Sequence, residues 1–144
     1  MLSNNPNKKI INFFIQHLLK KGKKSNSEFL FSKLSRLLQH RYQKTPQKII
    51  IKALINAKPI VSFRNIKLRG TSHKVPFFSK EAERERLAFN WLLQESGSIQ
   101  HKTVFFLAKE IYQASLKEGS VLTKRDVFYK LANQNKVFAY YRWF

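Results

Sequence analysis

Apolar residues recur every three or four positions along most of this 144-residue chain, and every second position in one short stretch. The first period belongs to amphipathic helices, the second to half-buried strands. Ile10, Ile11, Phe14, Ile15, Leu18 and Leu19 predict a helix over 10–20, with Gly22 as its stop. A second helix is expected from about Ser27, with Leu30, Leu34, Leu37 and Leu38 on one face, fading over 39–42. Thr45 and Pro46 suit the opening of a third, since proline is tolerated at the first helical position. Ile50, Ile51, Leu54 and Ile55 form its stripe, and Pro59 ends it.

The period then changes. Val61 and Phe63 alternate with Ser62 and Arg64, and Val75 and Phe77 answer them across a basic turn. Two strands over 60–78 follow. Ile66 and Leu68 sit on the opposite parity, which predicts a bulge or an irregular tip. Pro76 suits an edge strand.

Helical spacing returns after Ser79, the expected N-cap of a fourth helix. Glu81, Glu83 and Glu85 lie in its first turns, where negative charge suits the helix dipole. Leu87, Ala88, Trp91 and Leu92 are its inward face, and Gly97 stops it. A fifth helix over about 102–117 turns Val104, Leu107, Ala108 and Ile111 inward, with Gly119 as its C-cap. Thr123, with Asp126 three residues on, resembles a capping box for the sixth. That helix carries Val127, Phe128, Leu131 and Phe138 and runs into Tyr140, Tyr141 and Trp143. The expected fold is mainly α: a six-helix bundle with a protruding β-hairpin between helices three and four. It is one domain over 1–144, with 1–9 a short tail and 60–78 a hairpin arm.

Charge narrows the function. Lys and Arg total 28 against 8 Asp and Glu, a formal net charge of +20. An AT-rich gene would enrich Ile, Asn, Lys and Phe, but it would not by itself remove Glu. Such a field attracts polyanions, and a phosphate backbone is the natural partner. The absence of cysteine excludes disulfides and thiol chemistry. No apolar run approaches the roughly 18 residues that span a bilayer. The segment 1–9 has the form of neither a secretory signal nor a transit peptide.

Catalysis has little to stand on. His17, His40, His73 and His101 are scattered, with no partner at metal-ligand spacing. Glu81, Glu83 and Glu85 read as a solvated helix start, and the four glycines form no phosphate loop. No enzyme, cofactor, metal or small-molecule substrate is expected. Basic residues offer more. Lys20, Lys21, Lys23 and Lys24 make a corner beside a helix end, and Arg64, Lys67, Arg69 and Lys74 line the hairpin. Such side chains can lie along phosphates or enter a shallow RNA groove. His73 and the C-terminal aromatics could stack on unpaired bases. Trp91 is expected in the core, and one of Phe105 and Phe106 at a protein interface. A basic helical DNA-binding module is the alternative, although no helix-turn-helix spacing is present. A nuclease and an amphipathic membrane binder over 10–24 rank below it.

The motifs carry a resemblance. Gly22-Lys23-Lys24-Ser25, Asn56-Ala57-Lys58-Pro59 and the Gly70-to-Pro76 segment occur in order. Ala88-Phe89-Asn90-Trp91-Leu92 and Leu107-Ala108-Lys109-Glu110-Ile111 follow. The chain then closes with Lys124-Arg125-Asp126 and the run from Ala132 to Trp143. Together these resemble the family of the small-subunit ribosomal protein numbered seven, over about residues 10–143. The resemblance implies a helical bundle that binds the 3′ major domain of small-subunit ribosomal RNA and supports assembly of the head. It implies a hairpin near the exit-site tRNA and messenger path, and contact with neighbouring ribosomal proteins, including the one numbered eleven. The RNA-binding residues it points to are Lys8, Lys9, Lys20, Lys21, Lys23, Lys24, Arg64, Lys67, Arg69, Lys74, Arg84, Lys136 and Arg142. Several positions depart from the family pattern. The basic N-terminal arm is reduced to 1–9, Glu83-Arg84 stands for an Arg-Arg pair, Arg69 for a glycine and Tyr140 for a histidine. With the Ile, Asn, Lys and Phe content, these departures point to an organelle ribosome, mitochondrial before plastid, with a bacterial cytoplasm as the alternative.

Overall fold

A computed structural model describes residues 6–19, 21–68, 70–97 and 103–143, with the side chains of 6–10, 68, 103, 142 and 143 outside the described set. The order of elements is α1 (Pro6–Leu18), α2 (Lys24–Tyr42), α3 (Pro46–Ala57), β1 (Val61–Leu68), β2 (Thr71–Phe78), α4 (Glu81–Glu95), α5 (Thr103–Ser115) and α6 (Ser120–Gln134). A 3₁₀ helix over Lys136–Trp143 closes it. The expected architecture is present: mainly helical, with an antiparallel hairpin between α3 and α4.

The helices assemble because each buries one apolar stripe. Phe14 of α1, Leu34 and Leu38 of α2, Ile50 and Leu54 of α3, Ala88 and Phe89 of α4, Ile111 of α5 and Val121 of α6 share one cluster. The α5 helix lies against α2, α3, α4 and α6. Tyr42 and Tyr112 stack nearly parallel at 3.6 Å, and Trp91 lies in the core as expected. Burying one large apolar side chain contributes about 1.5–3 kcal/mol, so this cluster is the main source of stability.

Several boundaries differ from the expected ones. The α1 helix begins at Pro6 and ends at Leu18, and α2 begins at Lys24. Ser27 is a buried residue inside α2, its hydroxyl donating to the Lys24 carbonyl at 2.7 Å. Ser79 does not cap α4: its hydroxyl donates to the Ile60 carbonyl at 3.3 Å, and Lys80 occupies the cap position. Gly119 is not the C-cap of α5. Lys117, with φ 66, takes the left-handed position after α5, while Gly119, with φ 100, stands at the start of α6. A side chain there would also crowd Gln113, whose Cβ would lie 3.1 Å from the added one. Because α6 starts at Ser120, Thr123 lies within it and donates to the Ser120 carbonyl, and no capping box forms. Phe138 belongs to the 3₁₀ helix and not to α6. Ile55, Val127 and Leu131, expected inward, are exposed, whereas Phe89, Val121 and Leu122 are buried.

The hairpin has no bulge. Pairing runs unbroken from Val61 with Phe78 to Leu68 with Thr71, so residues 69 and 70 alone join the strands. Gly70, with φ 84, supplies the left-handed conformation that a two-residue turn demands. The mixed parity has another cause: both faces have partners. The Phe63 ring meets Phe128 of α6 at 4.7 Å, while His73, on the other face, meets Phe138 at 4.6 Å. Phe128 also touches Trp91 at 5.1 Å, which ties the hairpin to the core. Beyond this anchored base, Arg64, Asn65, Lys67, Thr71, Ser72 and Lys74 are exposed.

Candidate nucleic-acid interface

The few carboxylates are largely occupied by the fold. Glu28 faces Lys24 at 3.7 Å, Glu95 holds Lys124 at 3.1 Å and Asp126 holds Arg125 at 2.9 Å. Glu110 accepts from the Ser120 hydroxyl at 2.9 Å. Glu81 and Glu85 close on Lys58 at 2.6 and 2.8 Å. No Asp or Glu occurs between Glu28 and Glu81, a stretch that includes most of α2, all of α3 and the whole hairpin. Among the described residues, no carboxylate lies within ion-pair distance of the cations exposed there, so their field reaches outward to a polyanion.

Lys58 belongs to the scaffold. Burial alone would lower its pKa, but hydrogen bonds and charge from Glu81 and Glu85 outweigh that and raise it. The Lys58 ammonium in turn holds the Glu81 carboxyl below its ordinary range. The Glu81 contribution to stability is present above the ordinary carboxylate range and is lost as pH falls through its lowered value. The Lys58 contribution is present below the ordinary lysine value and is lost as pH rises through its raised value. Lys58→Met should therefore cost about 1–2 kcal/mol, discounted for the exposure of Glu81. The gap between native and variant unfolding free energies should be flat from about pH 5 to 9 and narrow below about pH 4. Urea titrations across that range check it. A gap that is unchanged at pH 2.5 would show that charge is not the cause.

The RNA-binding residues expected from sequence fall into several groups. Lys21, Lys23 and Lys24 are exposed at the corner between α1 and α2. Lys21 and Gly22 both have positive φ there, 51 and 71, which turns the chain sharply. Lys8 and Lys9 lie in the first turns of α1, which the apolar stripe does not reach. Lys20 and Arg69 lie outside the described residues, and so does the Arg142 side chain. Arg64, Lys67 and Lys74 are exposed on the hairpin, with the Arg64 guanidinium 4.9 Å from the Phe77 ring centre. Lys136 is exposed at the start of the 3₁₀ helix. Arg84 is mostly committed: its Nε donates to the Ser79 carbonyl at 2.8 Å and its Nη1 lies 3.8 Å from Glu81. His73 is committed too, to Phe138 and to the Thr71 hydroxyl at 2.9 Å, whereas Tyr140 is exposed. Phe105 and Phe106 are both half exposed, and Arg41 covers the Phe105 ring at 4.8 Å.

The sequence reading missed Lys44, Lys48 and Lys52, exposed on or beside α3. Their four-residue spacing inside the carboxylate-free stretch was the available signal.

A helical scaffold with most of its carboxylates paired to its own side chains, and exposed cations left over, is a structural protein for binding polyanions. A profile of the family described as Ribosomal protein S7p/S5e matches residues 2–136. The small ribosomal subunit protein uS7 of Anaeromyxobacter sp. (strain K) is 35% identical over 136 residues, covering 94% of this chain and 87% of that one. Its counterparts in Desulfosudis oleivorans and Myxococcus xanthus are 33% and 32% identical, with coverage of 95% and 94% of this chain and 88% and 87% of theirs. The chain belongs to the ribosomal protein S7p/S5e family, a family of structural proteins and not of enzymes.

Proposed function

We propose that the chain is a structural constituent of the small ribosomal subunit that binds the 3′ major domain of its RNA and supports assembly of the head. The observation that carries this reading is the pairing of a fixed hairpin base with an unopposed cationic distal half. Arg64, Lys67, Arg69 and Lys74 would set the hairpin against RNA near the exit-site tRNA and messenger path. Lys8, Lys9, Lys20, Lys21, Lys23 and Lys24 would clamp backbones at a junction, with a smaller part for the committed Arg84. Lys136 and Arg142 would extend the contact from the C-terminal side, where the ribosomal protein numbered eleven would also meet the chain. Charge neutralisation supplies affinity and the shape of the folded RNA supplies selectivity. The composition favours a mitochondrial ribosome; finding the gene in nuclear or bacterial DNA would remove that support.

Ultraviolet crosslinking in native ribosomes, followed by sequencing of the attached RNA, tests the reading. Crosslinks should cluster in the 3′ domain and include the hairpin peptide. Crosslinks scattered over messenger and transfer RNA, or none, would overturn it. In binding assays, Lys23→Ala with Lys24→Ala should make the slope of log affinity against log salt shallower by about 1–2. Identical slopes would remove the corner from the interface.

A further inference from the structure

The Lys44, Lys48 and Lys52 side chains line one groove with Thr45, Ser115 and Leu116, between the start of α3 and the end of α5. A four-residue step along a helix advances about 6 Å and returns nearly to the same face, so Lys48 and Lys52 stand in a row. Lys44 extends that row just ahead of the helix. All three are exposed, and among the described residues no carboxylate lies within ion-pair distance of any of them.

Lysines beside a helix C-terminus often serve that terminus, by offsetting its dipole or bonding its last carbonyls. Here those carbonyls have other partners. The Ala114 and Ser115 carbonyls accept from Asn56 Nδ2 at 2.9 and 3.3 Å. Those of Tyr112 and Gln113 accept from the Leu116 amide, and Gln113 also from the Glu118 amide. The carbonyls that end α5 thus do not depend on this row of lysines.

From this arrangement we infer that the groove is a further phosphate-backbone site, which takes an RNA segment different from the one under the hairpin. The inference rests on the reading of the chain as an RNA binder. The groove occupies the first half of α3 and the hairpin follows its close, with about 14 Å of helix between Lys48 and the end of α3. One continuous strand under the hairpin tip does not have to pass the groove, and a folded RNA junction offers separate backbones to both.

A photo-crosslinking residue at position 48, and separately at 67, in the full chain assembled into small subunits, tests this. Position 48 should crosslink to small-subunit RNA at nucleotides distant in sequence from those reached from 67. In parallel, the chain carrying Lys44→Gln, Lys48→Gln and Lys52→Gln should melt at an unchanged temperature. Its log affinity for small-subunit RNA should fall less steeply with log salt, by about 2 in slope. Crosslinks from 48 to a protein would overturn the inference in favour of an acidic protein segment. RNA crosslinks from 67 with none from 48, or both reaching the same nucleotides, would overturn it and leave the functional reading intact. No RNA crosslink from either position would overturn that reading as well.

Discussion

Replacing Phe89 with alanine should lower the unfolding free energy by about 3–5 kcal/mol, the range for deleting a large aromatic ring from a packed core. Phe89 is 1% exposed, and its ring meets Phe14 at 4.6 Å, Phe13 at 5.5 Å and His17 at 5.2 Å. Those three rings belong to α1 and Phe89 to α4, so the cluster joins the first helix to the fourth, beside its packing on α2 and α3. The cost within that range depends on how far the surrounding rings relax into the vacancy. Domains of this size are stable by about 5–15 kcal/mol, so a loss on this scale leaves a marginal fold. The consequence reaches function, because α1 leads into the corner that carries Lys21, Lys23 and Lys24. Urea melts in sulfate buffer, which offsets self-repulsion of a +20 chain, give the number. Phe29→Ala, at a side chain 63% exposed, should change stability by less than about 0.5 kcal/mol. A Phe89→Ala loss no larger than that of Phe29→Ala would show that the ring cluster is not the attachment point.

The central place of Phe89 was not legible in advance, and the reason is instructive. Leu87, Ala88, Trp91 and Leu92 satisfied a helical stripe without it, yet the helix turns so that Phe89 is buried and Leu87 only half buried. Periodicity gave the existence of every α-helix because each buries an apolar face. It gave poor boundaries, since the first turns of α1 and α2 hold few apolar residues to register in a period. The hairpin's pairing was misread for a related reason. Alternation assumes one wet face, and here α6 and the 3₁₀ helix each meet a different face. Ser79 was a sound N-cap by residue type, but a tertiary acceptor, the Ile60 carbonyl, took its hydroxyl. On the surface, the corner and hairpin lysines could be read from sequence because clustering is local. The scaffold duty of Arg84 and Lys58 could be read less well, because what commits them is geometry around the start of α4.

Asn56→Ala should cost about 2–3 kcal/mol, although the residue is polar and only half buried. Its Nδ2 reaches the carbonyls that end α5, while its own backbone carbonyl accepts from the Arg125 guanidinium of α6. One residue of α3 thereby ties the end of α5 and the second turn of α6, with partners 58 and 69 positions away. Truncation orphans the Ser115 carbonyl, next to a side chain that is itself buried, and an unsatisfied buried acceptor costs about 1–3 kcal/mol. Asn56→Asp separates hydrogen bonding from size. It is nearly isosteric, but its carboxylate would face two carbonyl oxygens that need a donor, so at pH 7 it should be at least as destabilising as alanine. If Asn56→Asp is as stable as the native chain, the side chain fills space and does not donate. The site also governs the hairpin. Asn56 lies at the end of α3, Lys58 is held by Glu81 and Glu85, and Pro59 is buried just before β1. These three residues set the direction in which the strands leave the bundle. Loosening the first of them should weaken RNA binding by the hairpin more than the binding at the α1–α2 corner. Hydroxyl-radical footprints of Asn56→Ala complexes, compared at the two sites below the variant's melting temperature, would read that difference, and equal losses at both would limit the role of Asn56 to global stability.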